Sequence, residues 1–358
     1  MTTELLKGVN LGGWFSQIDA ISEKDPDIFP GIDIHMKTFI SQADISRIAN
    51  AGFNHVRLPL DYQNFFSSDG ELLFNDRLDT VEGAVKNFIN SGLKVMLDLH
   101  ECPGHDFDEA LRSEQGFFTD KRQRQATKNI WTELCRRFGN NSSIYLELLN
   151  EPVAPTDEIW NETKKELSDF VREISPDSTI ILGSNKWNAP STFENLSLID
   201  DENILYCFHF YSPLLFTHQK AGWLDDPNSK IARPYPGNYS IDENTLKVKR
   251  LGEETGIWDR NRLTQEIEPV LRFRDKYKVP VVCNEFGVFH QAPRESQLRW
   301  MDDFISILKE HGIGFTYWNY KNLDFGLVSI GERLHEKLPQ FSNRDRLDTE
   351  LMNLLAGY

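Results

Sequence analysis

Eight short β-rich runs recur along the chain, and a stretch patterned for a helix follows each. The runs lie at 8–10, 55–58, 94–99, 144–149, 179–182, 204–208, 279–283 and 314–318. They are nearly continuous in apolar residues rather than alternating, as expected of strands buried on both faces in a parallel sheet covered by helices. The segments 41–51, 79–90, 121–138, 156–174, 262–276 and 296–311 are amphipathic. Gly52, Gly92 and Gly312 stand just past three of them, where a left-handed residue closes a helix. Strand–helix alternation carried through eight rounds closes most simply as an α/β fold of the (β/α)8 TIM-barrel type, one domain over residues 1–358.

Charge narrows the ligand. With 39 basic and 55 acidic residues the net charge is −16, which disfavours nucleic acid and anionic membranes, because both need a basic face. A neutral ligand such as a sugar suits it. No apolar run approaches the roughly 20 residues that span a bilayer, so no membrane insertion is expected. The first ten residues show no charged-then-apolar leader, which favours the cytosol, with secretion after removal of a leader as the alternative. Cys102, Cys135, Cys207 and Cys283 lack the close pairing of a zinc or redox motif and are expected buried and reduced. A monomer is expected.

Barrels build their sites at the C-terminal ends of their strands. Two long connections leave that face, 11–39 and 211–258, the second with Val248-Lys249-Arg250 read as a short strand of a lid. The fourth run ends in Leu149-Asn150-Glu151-Pro152 and the seventh in Asn284-Glu285-Phe286-Gly287. Glycosidic bond cleavage needs such a pair, one carboxylic acid to assist the leaving oxygen and one carboxylate to meet an oxocarbenium-like carbon. Arg57 closes the second run, and held near Glu285 it would keep that carboxylate ionised. Glu147, two strand repeats before Glu151, reads as a buried structural carboxylate that pairs with Arg57. The i, i+2 spacing of His209 and Tyr211 aims both the same way, Tyr211 towards Glu285 and His209 towards Glu151 or a sugar hydroxyl.

Trp131, Trp160 and Trp300 fall within helical patterns and are expected in the core. Trp14, Trp187, Trp223 and Trp318 lie at or beyond strand ends, where aromatic faces can stack on pyranose rings. The run Asp98-Leu99-His100-Glu101-Cys102-Pro103-Gly104-His105-Asp106 is rich in metal-type ligands. Its spacing fits no standard zinc pattern, and Pro103-Gly104 makes it a turn, so no metal is expected and His100 is read as a partner of a sugar hydroxyl. Neither a phosphate-cradling glycine loop nor a Gly-x-Ser-x-Gly elbow occurs.

The set Gly8-Val9-Asn10-Leu11-Gly12-Gly13-Trp14, Arg57, Asp98-Leu99-His100, Asn150-Glu151-Pro152, His209-Phe210-Tyr211, Asn284-Glu285-Phe286-Gly287 and Trp318 resembles glycoside hydrolase family 5. The resemblance implies a retaining double displacement in which Glu151 is the general acid/base and Glu285 forms the glycosyl-enzyme. It implies further that Asn150 holds the sugar 2-hydroxyl and that Arg57 and Tyr211 orient Glu285. His100, His209 and Trp318 would line the subsite of the bond-donating sugar, with no metal or cofactor. The substrate pattern divides. Asp98-Leu99-His100 with Pro103-Gly104 looks like a β-1,3-glucanase branch, except that Glu101 stands where glycine is usual. Phe216-Thr217-His218-Gln219 and Trp223 look like the endo-β-1,4-glucanase and mannanase branch. The expectation is an endo-β-glucanase on a β-1,4 or mixed-linkage oligo- or polysaccharide. An exo-β-1,3-glucanase, a β-mannanase or another β-glycosidase of the same family, and a non-enzymatic sugar-binding barrel, are the alternatives.

Overall fold

The computed structural model describes residues 5–24, 29–106, 116–329 and 338–358. Eight parallel strands close a barrel: β1 (Lys7–Asn10), β2 (His55–Asp61), β3 (Lys94–Glu101), β4 (Ile144–Glu147), β5 (Thr179–Gly183), β6 (Ile204–Phe210), β9 (Val281–Phe286) and β10 (Gly314–Tyr317), with β10 returning to β1. The two remaining strands, β7 (Gly237–Tyr239) and β8 (Gly256–Trp258), pair as an antiparallel ribbon inside the connection from β6 to β9. The expected (β/α)8 barrel is the fold observed. Residues 1–4, part of the stretch on which the leader reading rests, and 25–28 of the first long connection lie outside the described residues. Among the described residues no helix is long and apolar enough to cross a membrane. All four cysteines are buried and free.

Side chains alternate across a strand, so each strand sends one row to the barrel axis and one to the helices. The helix-facing rows and the helices share a large core, whereas Met96, Ile181, Leu205, Cys207 and Val282 form a small separate cluster. Counting by twos from these towards the strand ends reaches Asp98 and His100, His209 and Tyr211, and Asn284. The inward rows thus pass from apolar to polar on the way to the catalytic face.

Element boundaries depart from the sequence expectation where a single residue intervenes. The expected helix at 262–276 is two helices, Arg260–Glu266 and Glu268–Tyr277, because Pro269 at the start of the second lacks the amide that would continue the first. Val248-Lys249-Arg250 is not a strand. The amides of Lys247 and Val248 donate to Asp226 Oδ2 (2.7 and 2.8 Å), which removes them from any ladder, and Lys249–Gly252 forms a helical turn.

Three helix tryptophans, core residues as expected, do more than fill space. Trp131 Nε1 donates to Leu148 O (3.1 Å), Trp160 Nε1 to Gly183 O (3.0 Å) and Trp300 Nε1 to Ser212 O (3.2 Å). Each indole therefore satisfies a backbone carbonyl at the C-terminal end of β4, β5 or β6, where regular pairing stops. A buried carbonyl left without its donor costs about 1–3 kcal/mol. Trp160→Phe should therefore lower unfolding stability by about 2 kcal/mol, read from the shift of the urea midpoint. An unchanged midpoint would remove the bracing role.

Candidate active site

Arg57 sits at the centre, fully buried within β2. Its Nε and Nη2 meet Glu147 as a fork (2.7 and 2.9 Å), and Nη1 reaches Asn10 Oδ1 (3.0 Å) and Glu285 Oε1 (2.6 Å). Nη2 also lies 2.8 Å from Asn150 Oδ1 and 2.9 Å from Asp98 Oδ2. Burial opposes the guanidinium charge, yet Asp98, Glu147 and Glu285 hold its pKa well above the ordinary value. Burial raises Glu147 and pushes Asp98 up to about 7, with Arg57 pulling both back.

Glu285 comes from β9 beside this cation, and Tyr211 adds a hydrogen bond to its other oxygen (3.0 Å). Burial and the neighbouring carboxylates hold the Tyr211 phenol well above its ordinary range, so it stays a donor. Asn284 and Glu285 are consecutive, and in a regular strand they would face opposite sides. Here both reach the axis, since Asn284 Nδ2 donates to Glu147 Oε1 (2.8 Å). The β6–β9 register resolves the conflict: Phe208 faces Cys283 but His209 faces Glu285, a bulge that re-aims the side chain.

Asn150 and Glu151 raise the same problem beyond β4, and a different device answers it. Glu151 has φ 43°, a left-handed conformation that costs a non-glycine residue about 1 kcal/mol or more. Its neighbours hold it there: Asn150 N bonds Leu99 O (3.0 Å), and the Asn150 carbonyl meets His105 Nε2 (3.0 Å). The Glu151 carboxyl lies 2.8 Å from His209 Nδ1, and the same nitrogen is 3.5 Å from Glu285 Oε2. Burial lowers His209 to about 4 and His100 to about 3, so both imidazoles are neutral near pH 7.

His100 is fixed by Asp98 (2.7 Å) and stacks parallel to Trp318, ring centroids 5.7 Å apart. Trp318, 7 % exposed, packs with Ile21, Phe289, Leu323 and Phe325. Gly12 makes room for it, because a Cβ there would stand 2.5 Å from the indole. Trp223 is 54 % exposed and leans on Phe289 and His218, and His218 in turn packs edge-on to Tyr211. Trp187 is 36 % exposed on the turn after β5, its amide bonded to Pro152 O (3.2 Å).

The structure thus gathers Glu151, Glu285, Arg57, Asn150, His209 and Tyr211 into one hydrogen-bonded group, with His100 and Trp318 beside it. Trp14 does not join them. It is 3 % exposed, its indole donates to Met36 O (2.7 Å) and its ring stacks on Phe15, so it belongs to the core and offers no platform to a sugar. Asn10 and Asp98, both Arg57 partners, carried no role in the sequence reading, although each lies on an inward strand row where a buried polar residue must find a partner. Among the described residues, Glu151, His209 and Glu285 are the one group with donor atoms near enough (within 4.8 Å) to hold a metal ion. Arg57 already supplies a cation there.

The chain matches Cellulase (glycosyl hydrolase family 5) over residues 21–324. It is 36% identical to Endoglucanase C of Acetivibrio thermocellus over 98% of this chain and 97% of that one. It is 32% identical to Cellodextrinase A of Ruminococcus flavefaciens over 86% of this chain and 83% of that one. Its fold superposes on endoglucanase Cel5A from the hyperthermophilic Thermotoga maritima with a TM-score of 0.73, at 22% identity and with 98% and 96% of the two chains covered.

Removing the central cation exposes the linkage between charge and folding. In Arg57→Met, Asp98 and Glu147 lose the charge that favours their ionised forms, so their folded pKa values rise further above the unfolded values of about 4. A raised folded pKa stabilises fully below the unfolded pKa, and the gain is lost as pH rises through the folded one. The variant should lose about 3–5 kcal/mol at pH 7 and recover part of it towards pH 4, read from urea midpoints. A deficit that does not change with pH would count against this account.

Proposed function

The chain belongs to glycosyl hydrolase family 5, and we propose that it is an endo-acting β-glucanase that cuts β-1,4 or mixed-linkage glucan with retention at the anomeric carbon. The observation that carries the retaining chemistry is the approach of Glu151 and Glu285, whose nearest oxygens lie within 4.8 Å of each other. Retaining glycosidases hold their carboxyls about 5–5.5 Å apart, whereas inverting ones leave about 6.5–9.5 Å for a water.

Glu285 is the nucleophile. Its oxygen attacks the anomeric carbon as the bond to the leaving oxygen breaks, and Glu151 passes its proton to that oxygen. The product is a glycosyl ester of Glu285 with inverted configuration. Glu151, now a carboxylate, takes a proton from an entering water, whose oxygen attacks the same carbon and frees Glu285. Two inversions restore the β configuration. Asn150 Nδ2 is buried and has no hydrogen-bond partner within the described residues, which leaves a donor for the sugar 2-hydroxyl. Trp318 lines the subsite of the bond-donating sugar, and exposed Trp187 and Trp223 offer faces to sugars further along the groove. The relatives named endoglucanase and cellodextrinase support glucan as the substrate and internal cleavage as the mode.

Glu285→Ala should lose at least about 10⁴-fold in kcat on soluble glucan, and azide should rescue it by forming an α-glycosyl azide. Near-wild-type hydrolysis in both Glu285→Ala and Glu151→Ala would sink the mechanism. The substrate is read from a panel of carboxymethylcellulose, mixed-linkage glucan, laminarin and mannan, scored by product length. Short oligomers from the first two support the proposal. Glucose alone from laminarin would assign an exo-β-1,3-glucanase, and cleavage of mannan alone a mannanase.

A further inference from the structure

Beyond β5 the chain turns through Lys186, Trp187 and Asn188, all three left-handed (φ 50°, 61° and 54°). Asparagine accepts this conformation better than most residues. The turn is tied to the segment that leaves Glu151. Asn185 Oδ1 accepts from Ala154 N (2.8 Å), Asn185 Nδ2 donates to Asp157 (2.9 Å), and Trp187 N donates to Pro152 O. It also sends the buried Asn188 side chain inward, where its Nδ2 lies 3.2 Å from His209 Nε2. Gly183 allows this approach, since a Cβ there would stand 1.9 Å from Asn188 Oδ1.

We propose that Asn188 is a positioning residue for the general acid: by donating to His209 Nε2 it keeps the imidazole proton on Nδ1 and leaves the Glu151 proton free for the leaving oxygen. The inference rests on the assignment of Glu151 as acid/base made above.

The argument is one of donors and acceptors. His209 Nδ1 faces two carboxyl groups, Glu151 at 2.8 Å and Glu285 at 3.5 Å. Glu285 as nucleophile is a carboxylate that only accepts, and Glu151 as the acid keeps one bare oxygen that accepts, so this nitrogen carries the proton. The ring is neutral because burial outweighs the pull of Glu285 and Glu147, and Arg57 and His100 push the same way as burial. A neutral imidazole has one proton, so Nε2 offers a lone pair and must meet a donor. Asn188 supplies it. With the proton on Nε2 instead, Nδ1 would accept, and the Glu151 proton would be drawn to the imidazole and away from the glycosidic oxygen.

The test uses Asn188→Gly, which keeps the left-handed backbone and deletes the amide. On unactivated cellooligosaccharides kcat/KM should fall about tenfold, because departure of a sugar alkoxide needs the acid. On 2,4-dinitrophenyl β-cellobioside, whose leaving group needs no proton, kcat/KM should stay within about twofold, which also shows that the variant folds. Glu151→Ala should show the same selectivity, more strongly. If Glu151→Ala lacks it, the acid/base assignment fails. If Glu151→Ala shows it while Asn188→Gly loses both activities equally or neither, Asn188 has no such role and Glu151 keeps its own. Nitrogen chemical shifts of His209 give a second reading: a proton on Nδ1 in the unaltered protein is expected, and one on Nε2 overturns the proposal.

Discussion

One guanidinium joins β1, β2, β3, β4, β9 and the segment that follows β4. Arg57 binds Asn10, Asp98, Glu147, Asn150 and Glu285 through its planar set of donors. A lysine could match the charge but not the fork. Buried ion pairs of this kind are weak sources of stability, since desolvation offsets most of the Coulomb attraction. What the cluster supplies is position. Each carboxylate that loses water is returned a donor at a fixed angle, and the strand ends are held in register around it. Glu285 is one of those carboxylates, so the proposed nucleophile is placed by the same contacts that organise the barrel mouth.

The same arrangement divides the labour between two chemically identical side chains. Glu285 faces a cation and a phenol, Arg57 at 2.6 Å and Tyr211 at 3.0 Å, one on each carboxylate oxygen. Glu151 faces an uncharged imidazole and is partly open to solvent. Opposed environments of this sort support the proposed roles of acid and nucleophile without any difference in residue type. His209 stands between them, and because it is neutral it can serve Glu151 as the proposed acid without placing a second charge beside Glu285.

Much of this was legible in the chain. The unbroken apolar runs read as strands buried on both faces, and period-two counting put Glu147 on the side of Glu151, and His209 on the side of Tyr211. What stayed hidden were the departures from that period. Asn150-Glu151 and Asn284-Glu285 look alike in sequence, yet one pair converges on the site through a left-handed backbone and the other through a bulge. No local pattern announces either, since both answer to contacts from distant strands. Trp14 was misread for the converse reason. It lies just beyond a strand end, but its loop folds back so that Met36 O accepts from the indole N–H, and proximity in sequence did not make a platform. Val248-Lys249-Arg250 was likewise read as a strand, while Asp226, more than twenty residues earlier, holds the backbone donors.

The long connection after β6 shows how groove and chemistry are coupled. Glu254, pushed up to about 7 by burial, accepts from Leu215 N (3.1 Å) at the start of the turn that follows Tyr211. Thr217 at the end of that turn donates its hydroxyl to the Tyr211 carbonyl. Tyr211 is therefore held by the inserted segment as well as by β6, and through Tyr211 so is one oxygen of Glu285. Trp223 projects from the same segment, with His218 packed between it and the Tyr211 ring. A loop change that moved Trp223 would also press on the hydrogen bond from Tyr211 to Glu285. That coupling limits how freely this connection can be reshaped.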